Sequence, residues 1–423
     1  MTQLKRTLAP GLRRIWLFLA VLGPGLITAS ADNDAPGIAT YSMAGSRYGY
    51  GFLWLLIVVT VGEVIVQEMA ARMGAVTGKG TADLIRERFG VKITAFAMLC
   101  LLLANLGTTM AQFAGVAASS ELLGLSRLVA VPLAALAVGL LVLRGNYNAV
   151  EKVLLVLSLA ALAYIVSAIA IGPPWGQIAR EAVTPSLDAN PAYILAVMAT
   201  IGTTITPWGI VYMQAAVADK GVPMEQYGHT RIDVVFGATW GNIVSAAIII
   251  CTAATLFVHG IAVESAEAAA MALEPLAGSA ARYLFSIGLL GASLLAASVL
   301  PLSTTYAICE AFGWERGLDH RPKEAPVFYG IYIGIIVLSV VTVLIPGIPL
   351  FPLMWLSQAL NALLLPVLLV LVLKLVNDSR IMGHWTNGRL QNGLAWALTA
   401  FIAAIGALML ITSMLPGVGA PVP

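Results

Sequence analysis

Charge is what this chain has least of. Asp, Glu, Lys and Arg make up 10% of its 423 residues, and the two signs nearly cancel at a net charge of +2. Soluble domains carry about 25% charged residues, so a soluble globular chain is excluded. No basic excess is present to neutralise phosphates, so no nucleic-acid partner is expected. Cysteine is scarce too. Cys100, Cys251 and Cys309 each lie alone in an apolar segment, which argues against a disulfide framework or cysteine metal cluster and leaves them as small packing residues. Histidine is missing where a proton relay would use it: His229, His259, His320 and His384 fall in loops or at the ends of apolar runs. No His/Cys/Asp cluster or serine-nucleophile motif appears. The chain is therefore not read as an enzyme, and no cofactor is expected.

What is there is apolar. Hydrophobic residues make up 59% of the chain, and its mean hydropathy is +0.90. The N-terminus imitates a secretion signal, with Lys5, Arg6, Arg13 and Arg14 before an apolar run that ends in Ala29-Ser30-Ala31. The apolar segment resumes after that point, so it reads as a first transmembrane helix. Runs near the roughly 20 residues that cross a hydrocarbon core predict eleven spans. They fall at 15–45, 50–75, 92–119, 127–144, 152–172, 191–218, 231–258, 279–311, 326–346, 350–376 and 391–415. The fold class is thus an all-α polytopic membrane protein, one transporter domain over 1–423, in contact with the lipid bilayer.

The count can be tested by charge. With the N-terminus in the cytoplasm, all of the 23 Lys and Arg residues except Arg47, Arg127, Arg180 and Arg282 fall on the inner side. A miscounted span would scramble that split. The expectation is a multi-pass protein of the inner (plasma) membrane, a monomer, with its N-terminus cytoplasmic and its C-terminus outside.

Two spans carry helix breakers at mid-depth. The first is Asp34-Ala35-Pro36-Gly37, in the stretch SADNDAPGIAT. The other is IGTTITPWGIVYMQ, where Gly202, Pro207 and Gly209 surround Thr203, Thr204 and Thr206. Proline has no amide hydrogen and clashes with the preceding turn, so each span should unwind locally. Unwound backbone survives in a membrane only where it lines a protein cavity. The breaks lie in spans one and six, each opening a five-helix unit. Such a pattern predicts an inverted repeat, 15–172 against 191–376, with a substrate site at mid-membrane and an extra helix over 391–415.

Asp34 beside freed carbonyls makes a hard, anionic, oxygen-rich site, and Thr203 and Thr206 add further oxygens. These ligands suit Mg²⁺, Ca²⁺ or Mn²⁺. A carboxylate at the bilayer centre costs at least about 2.5 kcal/mol, which a bound cation would offset. Asp32 and Asn33 either extend the site or line its vestibule. Gln358, in the tenth span, is a ligand or an interhelical hydrogen-bonding group. Glu63 is deep enough to line an aqueous path, Glu68 is placed to pair with Arg72 one turn on, and Glu310 reads as structural.

At these residues the sequence resembles the Nramp family of divalent-metal transporters. GPGLITASADNDAPGIATYSMAG is similar to that family's first helix and its Asp-Pro-Gly-Asn metal motif. In that register Asp34 matches the aspartate and Gly37 stands where the motif has its asparagine. In the sixth helix Thr203 takes an alanine position, Thr206 a methionine, Trp208 a histidine and Met213 a second histidine. In the third, Thr109 and Gln112 replace two carboxylates that serve proton transfer. Gln358 keeps the family's glutamine.

The resemblance implies an eleven-helix, LeuT-like 5+5 inverted repeat with a metal site formed by Asp34, Thr203, Thr206 and Gln358, supplemented by Asp32, Asn33 and the gap at Gly37. Its departures resemble the NRAMP-related magnesium transporter branch. Losing the methionine sulfur removes the soft ligand, and losing the titratable groups removes the proton route. The expected function is uptake of Mg²⁺, and of Mn²⁺ also, by alternating access without proton coupling. Two alternatives stay open: a proton-coupled Mn²⁺ or Fe²⁺ importer, and an amino-acid or amine transporter on the same fold.

Overall fold

The computed structural model describes residues 33–143, 162–317 and 320–414. The start of the first expected span, the first half of the fifth, and Asp32 lie outside the described residues. Among the described residues every regular element is a helix. Eight helical stretches are long and apolar enough to cross a membrane, and Arg127–Leu140 is a shorter apolar helix.

The principal helices are α1 (Ala35–Tyr48), α2 (Leu53–Thr77), α3 (Val91–Leu122), α4 (Arg127–Leu143), α5 (Ala163–Ala170), α6 (Pro191–Thr204), α7 (Pro207–Asp219), α8 (Tyr227–Thr255), α9 (Ala281–Phe312), α10 (Pro326–Leu344), α11 (Leu350–Val376) and α12 (Arg389–Met414). α1 and α6 have 14 residues and α7 has 13. At 1.5 Å per residue each is about 21 Å or less, short of the ~30 Å core. The sixth span is therefore two half-helices, and α1 starts near mid-membrane.

Contacts sort the loops into two ends. At one end, Arg72 donates to the carbonyl of Trp385 (2.7 Å) and to Asn387 (2.5 Å), and Arg88 pairs with Asp378. Arg316 lies 4.0 Å from both Asp83 and Glu310 there. The opposite end holds the Arg47–Glu264 and Arg127–Glu121 pairs and the bond from Arg282 to the Leu122 carbonyl, 2.5 Å. These are the two groups of loops that the positive charge predicted. At the basic end the Arg88 and Arg380 guanidiniums hold the Asp378 carboxyl well below the usual carboxylate range.

Polarity is arranged inside-out. Thr, Ser, Asn and Gln are buried between helices, as at Thr108, Gln112, Thr304 and Asn361. Leu128, Leu133, Leu136, Ile333, Val337 and Val341 are exposed on α4 and α10, an apolar face suited to lipid. Glycines set the closest crossings, as they do where small residues bring membrane helices together. A Cβ on Gly45 would lie 2.1 Å from Thr252 Oγ1, so α1 rests directly on α8. A Cβ on Gly202 would lie 1.9 Å from the Gln358 carbonyl, so the end of α6 presses on the backbone of α11. The three cysteines are free and buried.

Candidate metal centre

The two breaks have one construction. Asp34 caps α1: its backbone is extended, and its Oδ1 accepts from the Gly37 amide at 2.9 Å, with Pro36 in the first turn. Thr206 caps α7: its Oγ1 accepts from the Gly209 amide at 3.3 Å, with Pro207 as the first helical residue. In both, a side-chain oxygen satisfies an amide that the new helix leaves without an intrahelical partner. Proline fits the first turn because its missing amide hydrogen is not needed there.

The carboxylate at the first break is buried, with 5% exposure. Its second oxygen accepts a hydrogen bond from Gln112 Nε2 on α3. Backbone packing fixes that meeting. Gly115, three residues on, is so close to α1 that a Cβ there would lie 2.3 Å from the Ala35 Cβ. Gln112 is fully buried, and its carbonyl oxygen Oε1 has no hydrogen-bond partner among the described residues. Thr109, beside it in the sequence, is turned to its own helix and donates to Asn105 O at 2.7 Å.

One turn before Gln112, Thr108 joins a second polar group. Asn361 Nδ2 on α11 donates to Thr108 Oγ1 and to Gln358 Oε1, both at 2.9 Å, and lies 3.5 Å from the Gly202 carbonyl. Gln358 Nε2 in turn donates to Ser357 Oγ at 2.9 Å. Thr203 follows Gly202 at the end of α6 and is buried. Tyr41 of α1 shares a 2.8 Å hydrogen bond with Thr204. Asp34 and Gln112 thus form one polar pair, and Thr108, Asn361, Gln358 and the Gly202 carbonyl at the end of α6 form a second group, with α3 contributing a side chain to each.

Other expected residues are placed differently. Asn33 faces α8, donating to the Gly241 carbonyl at 3.1 Å and accepting from Ser245 Oγ at 3.3 Å. An extended backbone at Asp34 points successive side chains in opposite directions, which separates these neighbours. Gln358 bonds within its own helix, to Ser357 and Asn361, while its backbone carbonyl meets Gly202 of α6. Trp208 is buried among Leu295, Ala296, Val299 and Leu300 of α9, its indole Nε1 without a partner. Met213 is fully buried in the main core. Glu63 is 2% exposed and tied to Gln67 Nε2 (2.7 Å) and Asn242 Nδ2 (2.6 Å), so it sits in packed protein. Glu68 pairs with Arg72 at 3.2 Å. Below Trp208, a cavity of about 380 Å³ between α7 and α9 runs to the basic end, with Tyr212, Val299, Asp83 and Glu310 on its walls.

The residue whose place the sequence did not reveal is Gln112. The family register makes it a replaced proton-transfer position, and the structure makes it the side-chain partner of Asp34. Asn361 is a second such residue. A polar amide in the apolar run of α11, one turn past Gln358, was the available signal.

Comparison with known proteins accords with this geometry. Residues 25–412 match the family model described as Nramp, natural resistance-associated macrophage protein-like. The chain is 27% identical over 405 residues to a divalent metal cation transporter, MntH, of Klebsiella pneumoniae, covering 94% of this chain and 95% of that one. Its structure is similar to that of a variant of the Eremococcus coleocola manganese transporter, with a TM-score of 0.73 at 21% identity, over 96% of this chain and 88% of that one. A more distant likeness is to MhsT in complex with L-phenylalanine, with a TM-score of 0.61 at 16% identity, over 92% and 97% of the two chains. The match to residues 25–412 spans both breaks and all twelve helices described here, and it shows that the chain belongs to the Nramp family.

Proposed function

We propose that this chain carries divalent cations across the plasma membrane by alternating access, Mg²⁺ first and Mn²⁺ also, without moving protons. The observation that carries the reading is the neutral carboxamide of Gln112 on the Asp34 carboxylate. A buried carboxylate in an otherwise oxygen-and-amide centre offers a hard cation its charge. An amide cannot shed a proton at physiological pH, so the α3 face beside it offers no titratable relay. Thr206 and Thr203 supply hard oxygens or hold the waters that Mg²⁺ gives up reluctantly. Asp32 draws the ion toward Asp34, and Gly37 leaves room for its hydration shell. The basic end faces the cytoplasm by the charge rule, the N-terminus is cytoplasmic, and the protein works as a monomer.

The test is flux in liposomes. Mg²⁺ and Mn²⁺ enter with the wild-type chain, uptake with Asp34→Ala falls to background, and the lumen does not acidify as metal enters. Absent Mg²⁺ flux, or Asp34→Ala uptake equal to wild type, sinks the reading. Acidification in step with metal entry assigns the chain to proton-coupled Mn²⁺ or Fe²⁺ import.

A further inference from the structure

Gln112 faces two demands that one orientation does not meet. The Asp34 carboxylate accepts hydrogen bonds and donates none, so the carboxamide must turn its nitrogen toward it, as observed. That turn leaves Oε1 fully buried with no partner among the described residues. An unpaired buried acceptor of this kind is destabilising. Asn105 on α3 and Gln67 on α2, whose N–H stands on Glu63, also leave a buried side-chain oxygen without a partner among the described residues; what sets Gln112 apart is that its N–H stands on the carboxylate that caps the broken helix. The side chain is not free to leave either, because Gly115 locks α3 against Ala35 three residues away.

We propose that Gln112 is a ligand of the transported cation, and that its amide group turns over with occupancy. In the geometry described, its N–H stands on the Asp34 carboxylate. When the ion arrives, a half-turn about the last side-chain bond removes the N–H and brings Oε1 to the metal beside the carboxylate. One neutral side chain then answers both states, as a donor to a lone carboxylate and as a hard acceptor to a cation. No proton is released or taken up. The turn also converts an unpaired oxygen into a coordinated one, so ion binding is favoured by the same group that steadies the empty site. The proposal rests on the reading of the chain as a divalent-cation carrier.

Its test is metal binding by the full chain in detergent, with Mn²⁺ and Mg²⁺ as probes. Gln112→Leu, of similar volume, is expected to weaken both ions about tenfold or more. Gln112→Glu keeps an oxygen at the same reach and still binds, but with a steeper pH dependence than wild type, weak in acid and tight in alkali. A structural role alone does not move the third readout. With glutamine labelled with ¹³C at its side-chain carbonyl, Mn²⁺-bound wild type shows a ¹³C coupling of a directly bound amide by electron–nuclear double resonance. That coupling is reduced or lost in Gln112→Leu. A coupling unchanged by Gln112→Leu but abolished by Gln358→Leu overturns the proposal, as does an unchanged affinity in Gln112→Leu. In both those cases wild type still binds metal and the carrier reading stands; a wild type that binds neither ion overturns both.

Discussion

At Asp34 and again at Thr206 the chain stops a helix and starts another in the same way. An oxygen on the capping side chain takes the amide of the glycine three residues on, and a proline sits in the first turn. The surroundings then diverge. Asp34 brings a full charge and meets the Gln112 amide. Thr206 brings a neutral hydroxyl and is followed by Trp208, packed in an apolar contact with α9. The second break shows that capping needs only an oxygen. The charge at the first is surplus to folding, and a buried surplus charge in a membrane points to a ligand.

The sharpest way to break this comparison is Asp34→Asn. Asparagine caps a helix about as well as aspartate, so thermal stability should stay within roughly 0.5 kcal/mol of wild type. Metal binding and uptake should fall by about a hundredfold or more, in line with at least roughly 2.7 kcal/mol of lost binding. A variant that unfolds easily yet still transports would show that the charge serves the fold. Isothermal titration with Mn²⁺ and a melting curve on the same preparation give both numbers.

A smaller effect should follow from giving the second break a softer atom. Thr206→Met places a thioether where the structure has a hydroxyl, and soft ligands favour Mn²⁺ over Mg²⁺ and Ca²⁺. Competition among the three ions should move toward Mn²⁺ by severalfold to about tenfold, a change of up to roughly 1.4 kcal/mol. An unshifted preference would separate Thr206 from the ion and leave it only the capping role.

The breaks themselves were legible in the sequence, and the reason lies in what precedes each proline. Pro132, Pro301 and Pro366 sit inside unbroken helices. They follow Val131, Leu300 and Leu365, none of which can cap. Pro36 and Pro207 follow Asp34 and Thr206 within two residues, and a glycine lies three residues past each cap. The spans and the two-ended loop arrangement were legible because burial and charge act residue by residue along the chain. What was not legible depends on how helices cross. The Asp34–Gln112 contact joins residues 78 apart, and it exists because Gly115 lets α3 touch α1. Asn33 was assigned to the same site by adjacency, but the extended cap turned it to α8. The sequence offers Gln358 as a ligand or an interhelical bond, while its ties to Ser357 and Asn361 lie within α11.

The smallest predicted effect asks whether the second cap is structural alone. In Thr206→Ala the Gly209 amide loses its acceptor, and an N-cap truncation of this kind destabilises by about 1 kcal/mol. Thr206→Ser should recover most of that loss, since it restores the oxygen without the methyl. The Thr206 oxygen accepts from Gly209 through one lone pair, and a hydroxyl has a second. If that second lone pair faces the ion or one of its waters, Thr206→Ala will also weaken Mg²⁺ binding a fewfold, and serine will rescue affinity together with stability. Rescue of stability with no change in affinity across all three side chains would make the comparison complete in the other direction: the two breaks would share a cap, and only the one with charge would hold the metal.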